Sequence, residues 1–179
     1  MKYLIATDIH GSEASAKIIL EKKKEFDCDK IILLGDILYH GPRNDLPESY
    51  NPKKVIELLN SEAKNIIAVK GNCDAEVDQM VLDFKLEDER IIKIKNKEYF
   101  LTHGQHTNAD KPKKLKKGTV VLHGHTHIIK KTEINGVVYL NIGSITLPKQ
   151  DHPKCFAVLD DAGVQIYDLK NELVLSYNI

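Results

Sequence analysis

The sequence predicts a layered α/β fold in which two mixed β-sheets pack between helices. In the first half of the 179-residue chain, short apolar runs alternate with amphipathic helical segments, which is typical of a parallel sheet covered by helices. In the second half, apolar runs come in pairs joined by turn residues, which indicates β-hairpins. Two packed sheets account for the number of strands, and the length fits one domain, residues 1–179.

Three buried strands are expected in the first half of the chain. Each is a short apolar run that ends in polar or glycine-containing residues, which is the pattern of a strand covered on both faces. The expected strands are residues 2–7, 31–34 and 65–69.

Helices are expected between these strands. Ser12 is a suitable N-cap for the first helix, whose apolar side includes Ile19. The second helix is expected to begin at Asn51 and Pro52, because proline is favoured at the first helical position. A long polar loop precedes it, and a short helix is expected near residues 77–81.

The pattern of apolar runs in the second half of the chain predicts β-hairpins and two further strands. The dipeptide Asn135-Gly136 between apolar runs is the strongest of the turn signals, since both residues readily adopt positive φ angles. The expected pairs are residues 91–94 with 99–102, 128–134 with 137–141, and 156–159 with 164–167; the further strands begin at residue 120 and cover 173–177.

Composition excludes several classes of protein. Lys+Arg and Asp+Glu are both 26, so net charge gives no reason to expect a nucleic-acid or membrane partner. The first apolar run is too short for a signal peptide or a membrane span. Cys28, Cys73 and Cys155 form no C-x-x-C pair, which argues against a cysteine zinc site and for a reducing compartment. A cytoplasmic protein is expected.

The stretch from Val120 to His127 is the strongest functional signal. An apolar run ends there in His123, Gly124, His125 and His127, and a buried imidazole needs a hydrogen-bond partner or a metal. On a continuous strand the three histidines would merely share one face, but glycine is a poor residue inside a strand. We therefore expect a strand that delivers metal ligands to a site at its end.

Other apolar runs also end in polar residues that can bind metal. Sites in α/β sheets form beyond the carboxyl ends of the strands, so these residues can converge on one crevice. Each residue also has an alternative role that needs no metal: Asp8 could cap a helix, Asp36 and Asn72 could be turn residues, and His103 could pack in the core. The candidate ligands are Asp8, His10, Asp36, Asn72, His103, His125 and His127.

This ligand set favours a pair of ions over a single ion. Imidazole and carboxylate suit Mn²⁺, Fe²⁺, Zn²⁺ or Ni²⁺, and with no thiolate among the ligands we expect Mn²⁺, with Mg²⁺ a further alternative. Seven ligands exceed one tetrahedral centre but suit two divalent ions that share one carboxylate. Such pairs lie about 3.5–4 Å apart and contact the attacking and leaving oxygens in phosphoryl transfer.

The order and spacing of the motifs resemble those of the calcineurin-like metallophosphoesterases. The five blocks are Asp8-x-His10, Gly35-Asp36, Gly71-Asn72, His103-Gly104 and Gly124-His125-x-His127. Residues 35–44 and 71–80 are more closely similar to the YfcE-type small phosphodiesterases.

The resemblance implies a four-layer αββα sandwich and a division of the ligands between two ions. One ion would bind Asp8, His10, Asp36 and His127, and the other Asp36, Asn72, His103 and His125. His123 would then support the site without ligating. The implied reaction is hydrolysis of a phosphodiester by a hydroxide that bridges the two ions.

Two positions depart from the family pattern. Many relatives carry a histidine after the Gly-Asn pair, thought to protonate the leaving group, whereas this chain has Cys73 beside Asn72. The residue that protonates the leaving group, and with it the range of substrates, is therefore not decided by the resemblance; Cys73 is the candidate at this position. The turn at residues 141–144 has Ile142 where relatives often have proline, which alters turn rigidity.

The expected partner is a small phosphoester. Two divalent ions, two carboxylates and one hydroxide leave one net positive charge, which a diester monoanion neutralises. Arg43 is a candidate phosphate clamp and His40 a weaker one, although a surface arginine is the alternative. The lysines of residues 111–117 lack interleaved aromatic residues, so nucleic acid is not expected.

A binding scaffold is the alternative function, since a retromer subunit of the same fold acts as an interaction protein. All seven ligands are present here, which a pure scaffold would not require. The sequence also allows a homo-oligomer.

Overall fold

The computed structural model describes residues 1–178, which fold into two mixed sheets and two α-helices. The helices are α1 (Glu13–Glu25) and α2 (Pro52–Asn60), and short 3₁₀ turns cover Ala63–Asn65 and Glu76–Met80. The strands are β1 (Tyr3–Ala6), β2 (Lys30–Leu33), β3 (Ile66–Val69), β4 (Leu86–Glu87), β5 (Arg90–Ile94), β6 (Lys97–Leu101), β7 (Val120–His123), β8 (Lys130–Ile134), β9 (Val137–Asn141), β10 (Cys155–Asp160), β11 (Gly163–Asp168) and β12 (Leu173–Asn178).

The two sheets combine parallel centres with antiparallel hairpins. The first has the order β12-β11-β10-β1-β2-β3-β4, in which β1 to β4 are parallel. The second has the order β5-β6-β7-β9-β8, in which β6, β7 and β9 are parallel. The first two predicted helices and all predicted strands are confirmed, and the short helix expected near residues 77–81 is the 3₁₀ turn at Glu76–Met80. Strand β4 was not predicted, because a strand of two residues is too short to show a periodic pattern.

Each α-helix begins where its capping residue predicted. The Ser12 hydroxyl accepts a hydrogen bond from the backbone N–H of Ser15 at 3.2 Å, which caps α1. The Asn51 side chain accepts from the backbone N–H of Lys54 at 3.2 Å, and Pro52 opens α2. In the described chain, no helix is both long and apolar enough to cross a bilayer.

The main core lies between the two sheets, where side chains such as Ile5, Ile32, Leu101 and Leu122 are buried. Both α-helices cover the outer face of the first sheet, burying residues such as Ile19. The α/β sandwich of two mixed sheets is thus confirmed.

The outer layer of the second sheet differs from the helix that an αββα sandwich implies. An irregular segment takes that place: Ala109 and Leu115 pack on Phe100, Val121 and Tyr139. The segment around Leu115 is mostly lysine and contains a proline, so it offers no apolar face with helical period.

Candidate metal centre

Five of the seven candidate ligands meet at the carboxyl ends of the strands, where all five are buried. None of these side chains is more than 3% exposed although each can carry charge, which is costly unless a partner neutralises it. They are Asp8, His10, Asp36, His103 and His127. Asn72 is exposed and His125 is half-buried at the edge of the same cluster.

The backbone at most of these ligands is strained. Five of the seven have positive φ angles, a region that side chains other than glycine rarely occupy. Such strain persists where surrounding structure enforces it, and it concentrates at functional sites. The φ angles are 58° at Asp8, 50° at His10, 55° at Asp36, 71° at His125 and 61° at His127.

Three imidazole rings are oriented by backbone carbonyl groups. A carbonyl oxygen only accepts, so each Nδ1 carries the hydrogen and each neutral ring has its lone pair on Nε2. The Nδ1–carbonyl distances are 2.9 Å from His10 to Tyr39, 2.7 Å from His103 to Leu34 and 2.5 Å from His127 to Leu147.

Asp8, His10 and His127 direct three acceptor atoms toward one point. The two Nε2 atoms are 3.3 Å apart, and Asp8 Oδ1 lies 3.6 Å from His10 and 3.2 Å from His127. Asp8 Oδ1 is buried and has no hydrogen-bond partner among the described residues. Converging lone pairs repel one another unless a cation or proton lies between them, so this group fits a metal ion.

A second group of acceptors lies beside the first. His103 Nε2 is 3.3 Å from Asp36 Oδ2 and 3.2 Å from Asn72 Oδ1. Asp36 Oδ2 is also 3.8 Å from His10 Nε2, in the first group. Asp36 Oδ2 therefore borders both groups. Asp8 Oδ1 lies farther from the second group, at 3.9 Å from His103 Nε2.

The remaining oxygen of each carboxylate is held by the protein. Asp8 Oδ2 accepts from the Thr7 hydroxyl at 2.8 Å and from the backbone N–H of His125 at 3.1 Å. Asp36 Oδ1 accepts from the backbone N–H of Cys73 at 2.8 Å. These donors leave one oxygen of each carboxylate facing the imidazoles.

Glycines allow the backbone to approach these carboxylates. A Cβ atom at Gly71 would collide with Asp36 Oδ1, and one at Gly124 would collide with Thr7 and Asp8 Oδ2. Glycine at both positions is therefore required by packing at the cluster.

The cluster also perturbs the acidity of its members. Burial raises the pKa of Asp8, but hydrogen bonding to His10 and the charges of His103 and His127 outweigh it, so the pKa lies well below the usual carboxyl range. Burial lowers the pKa of His103, but Asp36 and Asp8 outweigh it and raise the pKa to about 9. A metal at His103 must displace that proton.

Three further predicted residues take different positions. The His125 ring lies edge-on to His103 with centroids 5.1 Å apart, outside the two groups of converging atoms. Cys73 Sγ lies within 4.8 Å of ligand atoms of His10 and Asp36. His123 is buried beyond the cluster, and burial lowers its pKa to about 4.

A pocket of about 310 Å³ opens beside the cluster. Arg43 lines it together with Asn72, Cys73 and His125, as expected of a substrate-binding residue. His40 is not among the lining residues; its ring packs edge-on between the rings of Tyr39 and Tyr50.

Lys149 is a lining residue that the sequence did not reveal. It is exposed, and its backbone N–H donates to the carbonyl of His127 at 3.1 Å, which fixes it to the metal-ligand segment. A basic residue shortly after the turn at residues 141–144 was the available signal.

Asp74 is a second residue that sequence reasoning missed. Its buried carboxylate accepts from the backbone N–H groups of Asp36 at 2.7 Å, Ile37 at 2.7 Å and Gly71 at 2.8 Å. It therefore joins the turns that carry Asp36 and Asn72. The signal was an acidic residue two positions after Asn72 in a turn that ends a strand.

Asp74→Asn is expected to destabilise the fold by about 1–3 kcal/mol, because an amide nitrogen would face a backbone N–H and leave it unpaired. For a chain of this size the melting temperature should fall by several degrees. Thermal denaturation of Asp74→Asn beside Asp83→Asn, an exposed control, measures the effect. Equal stability of the two variants would contradict the joining role.

A family model described as the calcineurin-like phosphoesterase superfamily domain matches residues 1–162. The chain belongs to this family. It is 36% identical over 177 residues to phosphodiesterase YfcE of Escherichia coli strain K12, covering 98% of this chain and 96% of the relative. It is 28% identical over 195 residues to the probable metallophosphoesterase YsnB of Bacillus subtilis, covering 98% and 100%.

Solved structures agree with this assignment. The structure of YfcE, described as a phosphoesterase from E. coli, superposes with a TM-score of 0.95 at 36% identity and covers all of both chains. Vps29 from Entamoeba histolytica in complex with zinc superposes with a TM-score of 0.62 at 21% identity, covering 100% of this chain and 98% of that one. The second likeness concerns the fold alone.

Proposed function

We propose that this chain is a metal-dependent phosphodiesterase, acting as one domain over residues 1–179. The observation that carries the proposal is the pair of acceptor groups that share Asp36 Oδ2, each suited to one divalent ion. The name of the relative YfcE, a phosphodiesterase at 36% identity over nearly the whole chain, supports the choice of reaction.

The seven ligands would hold two ions in the arrangement that family resemblance implies. One ion would take Asp8, His10, Asp36 and His127, and the other Asp36, Asn72, His103 and His125. When bound, the ions would supply Lewis-acid polarisation of the phosphoryl group and acidify water. We propose Mn²⁺, with Zn²⁺, Fe²⁺, Ni²⁺ and Mg²⁺ as alternatives, because the ligand atoms are oxygen and imidazole nitrogen.

The residues lining the pocket would bind the substrate phosphate. Arg43 and Lys149 line the same pocket as Asn72 and His125, so their charges can offset that of a phosphodiester bound there. Asn72 Oδ1 faces His103, and its amide nitrogen contacts Cys73 Sγ at 3.3 Å, which orients the thiol at the pocket wall.

We propose that the substrate is a small phosphodiester and that the protein acts in the cytoplasm. Within the lysine-rich segment, Lys113 pairs with Glu89 and lies 4.9 Å from the centre of the Phe100 ring. None of the lysines of residues 111–117 lines the metal pocket, so this segment adds no basic surface to the pocket wall. Free thiols at Cys28, Cys73 and Cys155 support a reducing compartment.

The test is turnover by metal-stripped protein before and after Mn²⁺ is restored. Aryl diesters, aryl monoesters and single-stranded DNA are offered at equal concentration. We expect no turnover of any substrate without metal and the highest kcat/KM on diesters after reconstitution. Full turnover after exhaustive chelation would overturn the metal mechanism. Metal binding without hydrolysis of any ester would instead support a scaffold.

A further inference from the structure

A second pocket lies on the outer face of the five-stranded sheet, behind the segment that carries His125 and His127. Its volume is about 160 Å³, and it is lined by the irregular segment at Ala109, by His123 and Thr126, and by Tyr139 of β9. The metal-ligand segment therefore has two sides: His125 and His127 border the metal pocket, while His123 borders this one.

His123 presents an unused acceptor to this pocket. The side chain is buried, with 5% exposure, and Nδ1 lies 3.2 Å from the carbonyl oxygen of Gly124. Nδ1 must therefore donate, which places the lone pair of the neutral ring on Nε2. Within residues 1–178 the protein supplies no hydrogen bond to Nε2, so this acceptor, at the accessible edge of a mostly buried ring, is free to bind an occupant of the pocket.

Thr126 supplies the complementary donor. Its hydroxyl oxygen accepts a hydrogen bond from the Asn141 side chain at 2.8 Å, so its hydrogen is available to a ligand. The second hydrogen bond of the Asn141 amide goes to the carbonyl of Gly124 at 2.8 Å, which fixes this corner of the pocket.

The remaining lining favours a small, uncharged molecule. Ile128, Tyr139 and Ala109 provide apolar contact, while Lys130 and Asp110 contribute opposite charges that cancel. The volume is about half of the lower limit for pockets that take drug-sized ligands, roughly 300 Å³. Only a molecule with a few non-hydrogen atoms fits.

We propose that this pocket binds small neutral alcohols and phenols, whose hydroxyl donates to His123 Nε2 and accepts from Thr126 while the apolar body packs on Tyr139. The site shares Thr126 with the metal pocket but includes none of the seven candidate metal ligands, and it does not depend on the phosphodiesterase activity.

The test compares phenol with anisole, which has the same ring but no hydroxyl hydrogen. Both are titrated into the ¹⁵N-labelled full chain, following the backbone amide of Ala109, which lines this pocket and not the metal pocket, and the ring nitrogens of His123. We expect phenol to bind at least about tenfold more tightly than anisole, since anisole leaves Nε2 unpaired. The ring signals should show hydrogen on Nδ1, and phenol should shift Nε2.

His123→Phe should remove this preference, whereas His152→Phe, which lies outside the pocket, should retain it. Equal affinity for phenol and anisole in the unchanged protein would overturn the proposal, as would phenol shifts confined to the metal pocket. The comparison on the unchanged protein stands even if His123→Phe does not fold.

Discussion

Asp36→Asn is expected to lower kcat/KM on an aryl diester by about 10³-fold or more, further than Asp8→Asn or His127→Ala. Asp36 Oδ2 lies 3.3 Å from His103 Nε2 and 3.8 Å from His10 Nε2, so it borders both acceptor groups. Removing its charge weakens both ion positions at once. Loss of His127 weakens only the position it shares with Asp8 and His10.

The comparison needs metal content measured beside rate. Metal analysis of the purified variants should find neither position filled in Asp36→Asn and one retained in His127→Ala. Asp45→Asn, an exposed carboxylate in the following loop, controls for general loss of negative charge. If Asp36→Asn kept two ions per chain and most of its activity, Asp36 would not be the ligand shared by the two ions.

Cys73→His is expected to raise kcat/KM on alkyl diesters by about 10²-fold while leaving activated aryl diesters nearly unchanged. Burial and the charge of Asp36 raise the pKa of Cys73 to about 12, so the thiol is a poor acid for an alkoxide leaving group. An imidazolium with a pKa near the usual value of about 6.5 is far better matched to neutral pH. An aryl oxide departs without a proton and gains little.

Cys73→Ser and Cys73→Ala separate the remaining roles of this residue. The thiol lies close to ligand atoms of His10 and Asp36, so loss of metal from Cys73→Ser would make Cys73 a ligand. Wild-type rates in both variants would make it a packing residue beside Asn72. If Cys73→His did not raise kcat/KM on alkyl diesters, the interpretation that the enzyme lacks a good acid for the leaving group would be contradicted.

The strands and helix starts were predictable because their signals are local. Apolar runs, the N-caps Ser12 and Asn51, and the Asn135-Gly136 turn depend on neighbours in the chain. The irregular layer over the second sheet was not predictable in this way. Only Ala109 and Leu115 of this segment pack on the second sheet. That this face of the sheet is not covered by a helix depends on the arrangement of the whole fold and not on neighbouring residues.

The candidate ligands were predictable as a set because each ends an apolar run, and parallel strands bring their carboxyl ends together. Their individual geometry was not. The sequence could not reveal that the His125 ring lies against His103 outside the converging groups. Nor could it reveal Lys149, because that contact depends on how a distant loop returns to the site.

The anomalous scattering of Mn²⁺ in crystals of the metal-loaded protein tests the metal centre most directly. Two peaks about 3.5–4 Å apart are expected, with Asp36 between them, Asp8, His10 and His127 around one, and Asn72 and His103 around the other. The His125 ring should turn toward the second peak. A single peak, or two peaks that do not share Asp36, would contradict a two-ion centre built from these seven residues.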